Sequence, residues 1–206
     1  MQLVAARPDS FAAVLHDEDR MRAAFYGLLA VLLSKAPDDD VLKAVRSLQA
    51  GDGALGRSVA TLVRAAALAT PKGLAQEYHD LFIGLGRGEL VPFGSYYLTG
   101  FLQEKPLARL RQDMARLGIM AAAETSDPED HASSILDMMA GSIEGRFGTP
   151  LDVAGQSNFF QQHIASWMPI FFLDLERVAS SSFYAAVGSA GRAFLEIESA
   201  AFDMGT

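Results

Sequence analysis

The chain contains no cysteine among its 206 residues. Disulfide bonds, thiolate nucleophiles and zinc sites built on cysteine are therefore excluded. The absence of cysteine is compatible with a reducing compartment, and the N-terminal region lacks the basic segment and apolar core of a secretory signal, so we expect a cytoplasmic protein. No run of about 18 apolar residues occurs, so we expect no transmembrane helix.

Basic residues are scarce relative to acidic ones. The chain has 17 lysines and arginines against 25 aspartates and glutamates, which gives a formal net charge of -8. An acidic surface repels nucleic-acid phosphates and anionic membrane headgroups, which argues against both as main partners. The same surface attracts basic peptides. Half of the residues are hydrophobic, enough for a buried core in a chain of this length.

Signals for β-strands are almost absent, and apolar residues recur at helical spacing along nearly the whole chain. Thr70 and Pro71 predict the start of one helix, Gly118 predicts the end of another, and Pro169 predicts a break or a kink in a long apolar stretch. We predict an all-α protein, a single helical-bundle domain of roughly nine to ten helices. The last helix is expected from about Ser182 to about Phe202.

An alanine-rich segment interrupts this periodicity at residues 119–126. Because it has no apolar stripe of its own, it predicts a hinge between two helical halves. The N-terminal half is expected at about residues 1–118 and the C-terminal half at about residues 127–206.

The densest group of ionisable residues is Asp127-Pro128-Glu129-Asp130-His131. One interpretation is a helix start, with Asp127 as the N-cap, Pro128 at the first helical position and Asp130 in a capping box. Another is a helical hydrolase that uses Asp130 and His131 as an acid–base pair. A hydrolase also needs a nucleophile, a metal or a cofactor beside that pair, and the sequence offers none convincingly.

Motifs for metals and phosphates are missing or misplaced. Glu77 and His79, like Glu129 and His131, are two residues apart, so on a helix they point in nearly opposite directions. The glycines of residues 84–88 follow a predicted helix rather than a strand, which argues against a dinucleotide-binding loop. We therefore expect neither a bound metal nor a cofactor.

Four segments along the chain form an ordered set of motifs. They are Glu77–Phe82 leading into a glycine loop, Pro92–Leu98, Pro128–His131, and His163–Trp167 followed by Phe171 and Phe172. In order and spacing they resemble the TorD/DmsD family of cytoplasmic molybdoenzyme chaperones, also called redox-enzyme maturation proteins. Ser166 stands where the family usually has a proline before the tryptophan, and the first 70 residues match only in being helical.

The resemblance implies an all-helical chaperone without catalytic turnover. Such proteins bind the twin-arginine signal peptide of an exported molybdenum oxidoreductase, its apo-catalytic subunit, or both. They assist cofactor insertion and delay export. The family is also prone to domain swapping at the connector, so the resemblance implies either a monomer or a dimer swapped through residues 119–126.

A twin-arginine signal presents two guanidinium groups and then an apolar run, so its receptor needs carboxylates and an apolar groove. We expect Asp130 and His131 to face this groove with Tyr96 nearby. A non-catalytic dimer that uses its aromatic face for self-association is a third interpretation. The residues expected to bind the signal peptide or client are Asp130, His131, Glu129, Tyr96, Tyr97, Phe82, Pro92, Trp167 and His163.

Overall fold

A computed structural model describes residues 15–84, 88–120 and 127–204. Within these ranges the chain forms ten α-helices, one π-helical turn and no β-strand, which confirms the all-α prediction. No described helix is both long enough and apolar enough to cross a membrane. The helices are α1 Asp17–Ser34, α2 Asp39–Arg46, α3 Gly53–Leu68, α4 Pro71–Tyr78 continuing into the π-helical turn His79–Ile83, α5 Gly94–Thr99, α6 Lys105–Arg116, α7 Ala132–Glu144, α8 Val153–His163, α9 Met168–Glu176 and α10 Ser182–Met204.

Local capping signals place several helix ends where the sequence predicts them. The Thr70 hydroxyl accepts a hydrogen bond from the Gly73 N–H at 3.2 Å, and Pro71 is the first residue of α4. Gly118 follows α6 with a φ of 69°, in the left-handed region that glycine adopts without strain. Pro169 lies in the first turn of α9, so the long apolar stretch forms two helices.

The start of α7 differs from the helix-start prediction. Asp127 and Pro128 lie before the helix, which begins at Ala132 with His131 as its N-cap. The Nδ1 atom of His131 accepts a hydrogen bond from the Ser133 N–H at 3.2 Å. The prediction that Asp127 caps a helix and that Asp130 closes a capping box is therefore wrong.

Tertiary hydrogen bonds explain the difference. The His131 N–H donates to the Pro128 carbonyl at 3.2 Å and closes a turn before the helix. The Gly94 N–H donates to the Asp130 carbonyl at 2.9 Å, and Phe93 pairs with His131 in an isolated antiparallel bridge. Residues held in this pairing cannot adopt helical dihedral angles at the same time, so α7 starts after them.

The Cα packing divides the chain into two compact units, and each combines segments that are distant in sequence. One unit holds the described residues of Met1–Ser34 and Phe93–Trp167, and the other holds those of Lys35–Pro92 and Met168–Thr206. These units interleave along the chain, and the predicted halves at about residues 1–118 and 127–206 stay a prediction. The predicted hinge lies mostly at residues 121–126, outside the described residues, and stays a prediction.

The core of the first unit is built around α7, which packs along α1. Every residue of α7 except Asp137 and Glu144 is buried. The helix is rich in alanine, serine, glycine and methionine, and such small or adaptable side chains permit close approach of neighbours on all sides. A helix that is buried all round is fixed in place by its surroundings, and its N-terminal end therefore positions the turn that precedes it.

The core of the second unit is built around α10, which packs against α3 and α9. Gly188 of α10 lies directly on the α9 backbone, since a Cβ atom added there would be 2.3 Å from the Glu176 nitrogen and 2.7 Å from the Leu175 carbonyl carbon. Backbone atoms cannot move aside as a flexible side chain can. The absence of a side chain at residue 188 is therefore what allows the two helices to approach.

We expect Gly188→Ala to lower the free energy of unfolding by about 1–3 kcal/mol, although alanine is the better helix former. The cause is the overpacked α9–α10 contact. Gly27→Ala is the matched control, because no atom lies within 4 Å of a Cβ added in that part of α1. It should stabilise the protein by about 0.5–1 kcal/mol. Urea denaturation of both variants tests this, and equal effects would contradict the close-contact explanation.

Candidate functional site

The first unit contains a surface cavity of about 540 Å³. Its walls come from α5, α6, the turn before α7, and the C-terminal end of α8 with the residues that follow it. This volume falls in the range of sites that take a small molecule or a peptide side chain. The lining residues include Leu98, Arg109, Asp130, Gln161, His163 and Trp167.

Asp130 is the buried carboxylate on the cavity wall, with 2% of its surface exposed. Its Oδ2 atom accepts a hydrogen bond from the Ser95 N–H at 2.7 Å. Its Oδ1 atom is buried and has no hydrogen-bond partner among the described residues. An unsatisfied carboxylate oxygen in a buried position costs free energy, so a donor that enters the cavity would stabilise the protein.

Trp167, the single tryptophan of the chain, also lines the cavity and is 1% exposed. Its Nε1–H donates to the His163 carbonyl at 2.8 Å, which fixes the plane of the indole. The Tyr97 ring lies against it at 5.5 Å between centroids. A Cβ atom added at Gly94 would be 3.2 Å from the indole, so glycine at this position lets the start of α5 approach the tryptophan.

His163 lines the same cavity and is buried with an acidic partner. Its Nε2 atom is 2.6 Å from an Asp113 carboxylate oxygen, and Asp113 also forms an ion pair with Arg116. Burial lowers the pKa of His163 more than the Asp113 hydrogen bond raises it. The pair holds the ring in a fixed orientation beside the cavity.

His131 lies in the N-cap of α7 and is not among the residues that line the cavity. Its ring packs edge-on against Phe93 at 5.0 Å between centroids, and its Nδ1 atom is 2.7 Å from the Ser133 hydroxyl. Burial lowers the pKa of His131 to about 4, although the charge of Asp127 acts in the opposite direction. At neutral pH the imidazole is therefore uncharged, and its contacts are those of a helix cap.

The other predicted site residues fall into two groups. Glu129 is already paired, because Arg111 donates from Nε and Nη2 to the same carboxylate oxygen at 3.0 and 2.8 Å. Burial raises the pKa of Glu129, but the Arg111 hydrogen bond and charge outweigh it, and the net pKa is lowered. Tyr96 and Tyr97 belong to α5, with ring centroids 6.1 Å apart.

Phe82 and Pro92 belong to the second compact unit. The Phe82 ring packs within an aromatic cluster, 5.0 Å from the Tyr78 ring and 5.4 Å from the Tyr184 ring between centroids. Pro92 is buried. Of the nine predicted residues, three line the cavity: Asp130, His163 and Trp167. The Tyr97 ring is not in the lining but packs against the Trp167 indole.

Sequence reasoning missed Arg109, Gln161 and the backbone of Ser95. The helical spacing of Pro106, Arg109 and Leu110 does place these residues on one face of α6, and all three line the cavity. Their spacing alone does not distinguish a cavity wall from an ordinary amphipathic face. Within the described residues no group of three or more histidines, aspartates and glutamates is arranged to hold a metal ion.

Comparison with known proteins identifies the family. The model of the family described as the nitrate reductase delta subunit matches residues 48–173. The chain belongs to this family. The resemblance to TorD-type proteins, which rested on four sequence motifs, is confirmed by this match and by the relatives that the chain resembles.

The chain is similar to several chaperone proteins TorD, among them those of Vibrio cholerae and Aliivibrio fischeri. The protein from Vibrio cholerae is 28% identical over 130 residues, which cover 60% of this chain and 59% of the relative. The protein from Aliivibrio fischeri is 29% identical over 136 residues, which cover 61% and 62% respectively. The match thus spans about three fifths of the length of these relatives.

A solved structure supports the fold. The crystal structure of a protein assigned as a redox enzyme maturation protein from Archaeoglobus fulgidus superposes with a TM-score of 0.58. The two sequences are 22% identical, and the superposition covers 92% of this chain and 99% of the other. A likeness at this identity extends to the helical architecture alone.

The lowered pKa of His131 makes a prediction about acid stability. The unfolded chain binds a proton at this residue below about pH 6.5, whereas the folded protein resists protonation until about pH 4. Stability from this group is therefore lost as the pH falls between these values, by roughly 3 kcal/mol in total.

We expect His131→Asn to have a weaker dependence of unfolding free energy on pH between 6.5 and 4 than the wild type. Asparagine keeps a side-chain acceptor for the N-cap and cannot titrate. His79→Asn, at an exposed histidine, serves as the control and should keep the wild-type slope. Urea denaturation at several pH values measures this, and an unchanged slope in His131→Asn would overturn the assignment.

Proposed function

We propose that this protein is a non-catalytic chaperone of the cytoplasm for an exported molybdenum oxidoreductase. It binds the twin-arginine signal peptide, the apo-catalytic subunit, or both, and holds the precursor back while the cofactor is inserted. Membership of the nitrate reductase delta subunit family and the likeness to chaperone proteins TorD support this proposal.

The observation that carries the proposal is that Asp130 lines the cavity and that its buried Oδ1 atom has no hydrogen-bond partner among the described residues. A guanidinium group donates hydrogen bonds from a rigid planar fork, and its bonds to a carboxylate are about twice as strong as those between neutral groups. An arginine side chain that reaches Asp130 would satisfy the oxygen that the described residues leave without a donor. The flat indole of Trp167 offers a surface on which the guanidinium or its aliphatic stem can pack.

Arg109 also lines the cavity and adds a hydrogen-bond donor to the acceptor that Asp130 supplies. An extended peptide carries carbonyl groups between its side chains, and a guanidinium on the wall can bind them. A basic peptide segment therefore suits both residues, because its cationic side chain can bind Asp130 and its main-chain carbonyls can bind Arg109. The net charge of -8 adds a long-range attraction for such a segment.

The remaining predicted residues have supporting roles in this proposal. Glu129, held by Arg111, and His131, which caps α7, fix the turn that presents Asp130. Tyr96 and Tyr97 provide aromatic surface on α5. Phe82 and Pro92, which belong to the second unit, are proposed to contact the client directly.

An acid–base role for Asp130 and His131 receives no support from the geometry. A general base has to lie within hydrogen-bond reach of a substrate and titrate near the working pH. His131 is buried in the cap of α7, and burial lowers its pKa to about 4. We therefore retain the binding function as the conclusion.

We expect Asp130→Asn to weaken binding of a twin-arginine peptide by about tenfold or more, since one charge-assisted hydrogen bond contributes about 1.5–3 kcal/mol. The variant keeps the shape of the side chain and an oxygen for the Ser95 N–H. The affinity is measured by isothermal titration calorimetry and by the fluorescence of Trp167, which reports on the cavity alone because the chain has one tryptophan.

Asp127→Asn is the matched control. It removes the same charge three residues away, at an exposed position outside the cavity lining. This control should bind within about twofold of the wild type, because exposed charges contribute little. Equal losses in the two variants would mean that net charge rather than the cavity determines binding. Wild-type affinity in folded Asp130→Asn, with folding checked by circular dichroism, would exclude the cavity as the binding site.

A further inference from the structure

We infer that the segment between α5 and α6 forms an apolar extension of the cavity and binds the hydrophobic run that follows the paired arginines of a signal peptide. We call Leu98, Phe101 and Leu102 the apolar rim. The inference rests on the proposed function, because it assigns a second part of the same peptide to a second surface.

The rim exposes large apolar side chains close together. The exposed fractions are 43% for Leu98, 70% for Phe101 and 49% for Leu102. Single exposed apolar residues are ordinary on protein surfaces, whereas a group on one short segment marks an interaction site more often. In the described part of the first unit, the other exposed large apolar residues are Met21 and Val31 of α1, Met120, and Val153 of α8, and no two of them are neighbours in sequence.

The rim is continuous with the cavity. Leu98, at the end of α5, and Pro106, in the first turn of α6, both line the cavity. The intervening segment therefore leaves the cavity wall and returns to it. A peptide that places one side chain in the cavity would pass the segment between Leu98 and Pro106 if its chain continued out of the cavity on that side.

Side-chain hydrogen bonds hold the backbone of the rim in place. The Thr99 hydroxyl donates to the Ser95 carbonyl at 2.8 Å and accepts from the Phe101 N–H at 3.2 Å. The Gln103 N–H donates to the Ser95 hydroxyl at 3.1 Å, with Gln103 at a φ of 59°. A non-glycine residue in this left-handed region is strained, and such strain persists only where the surroundings fix the backbone.

The same serine connects the rim to the carboxylate. The Ser95 hydroxyl accepts from the N–H of Gln103, which directly follows the rim residue Leu102, and the Ser95 N–H donates to Oδ2 of Asp130. Ser95 itself is fully buried. The acidic and apolar parts of the surface are therefore both hydrogen-bonded to Ser95, which sets the spacing between an arginine at Asp130 and an apolar side chain at the rim.

Charge selects the occupant of the rim. A second copy of this chain would bring two surfaces of net charge -8 together, and a membrane of anionic lipids would repel the same charge. A peptide that is basic at one end and apolar beyond it satisfies the Asp130 carboxylate and covers the rim at once. An amphipathic occupant of this composition is therefore the partner that both surfaces suit.

The test uses two synthetic peptides of equal length and the full chain. One peptide has two adjacent arginines followed by a run of leucine and alanine, and the other has the same arginines followed by glycine and serine. We expect the doubly substituted variant Phe101→Ser/Leu102→Ser to bind the first peptide about tenfold more weakly than the wild type does, because two apolar contacts are lost. Its affinity for the second peptide should not change.

Two control variants separate the rim from the cavity. Met21→Ser/Val153→Ser removes two equally exposed apolar side chains of the first unit that do not line the cavity, and it should bind both peptides as the wild type does. Asp130→Asn should weaken binding of both peptides. Circular dichroism and size-exclusion chromatography with light scattering check the fold and the mass of every variant.

The outcomes distinguish the inference from the function on which it rests. If the wild type binds neither peptide, the proposed function fails and the rim fails with it. If the wild type binds and Asp130→Asn weakens binding, but the rim variant binds the apolar peptide normally, only the rim assignment is overturned. A rim variant that converts a wild-type dimer to a monomer with unchanged peptide affinity would instead identify the rim as a surface for self-association.

Discussion

The geometry of the cavity depends on the hydrogen bonds between Asp130 and the start of α5. The main-chain carbonyl of Asp130 accepts from the Gly94 N–H, and its Oδ2 atom accepts from the next N–H, that of Ser95. Two consecutive donors at a helix start are thereby satisfied by one residue. Loss of this arrangement would release α5 and, with it, the contact of Gly94 with Trp167.

The same arrangement explains why the carboxylate is only half satisfied. A side chain whose sole purpose was to cap α5 would need one acceptor oxygen, as a serine or an asparagine supplies. Asp130 carries a second oxygen that is buried without a partner among the described residues, which costs about 1–3 kcal/mol. A fold that tolerates this cost at the wall of a cavity is consistent with a ligand that supplies the missing donor. A ligand that donates a hydrogen bond to Oδ1 would remove this free-energy cost, and the amount removed would add to the binding free energy.

The sequence predicts the helices well and the site only partly, for physical reasons. Periodicity and caps are local, so the break at Pro169 and the start at Thr70 follow from neighbouring residues. The start of α7 is decided by a hydrogen bond between Gly94 and Asp130, which are distant in sequence, so local capping rules placed it wrongly. The motif around Asp130 points to a site, but the cavity that Asp130 and Arg109 both line exists only after packing.

Asp130 and His131 are neighbours in sequence but lie in different surroundings. Neighbouring residues in an extended pairing direct their side chains to opposite faces, and here one side chain reaches the cavity while the other caps α7. Burial keeps the imidazole neutral and engaged with Ser133, which stabilises the helix start but removes the proton exchange that a catalytic pair requires. The Oδ1 atom of the Asp130 carboxylate has no hydrogen-bond partner among the described residues. An acid–imidazole pair with this geometry can present a negative charge at a fixed position, and that is the property a receptor for guanidinium groups needs.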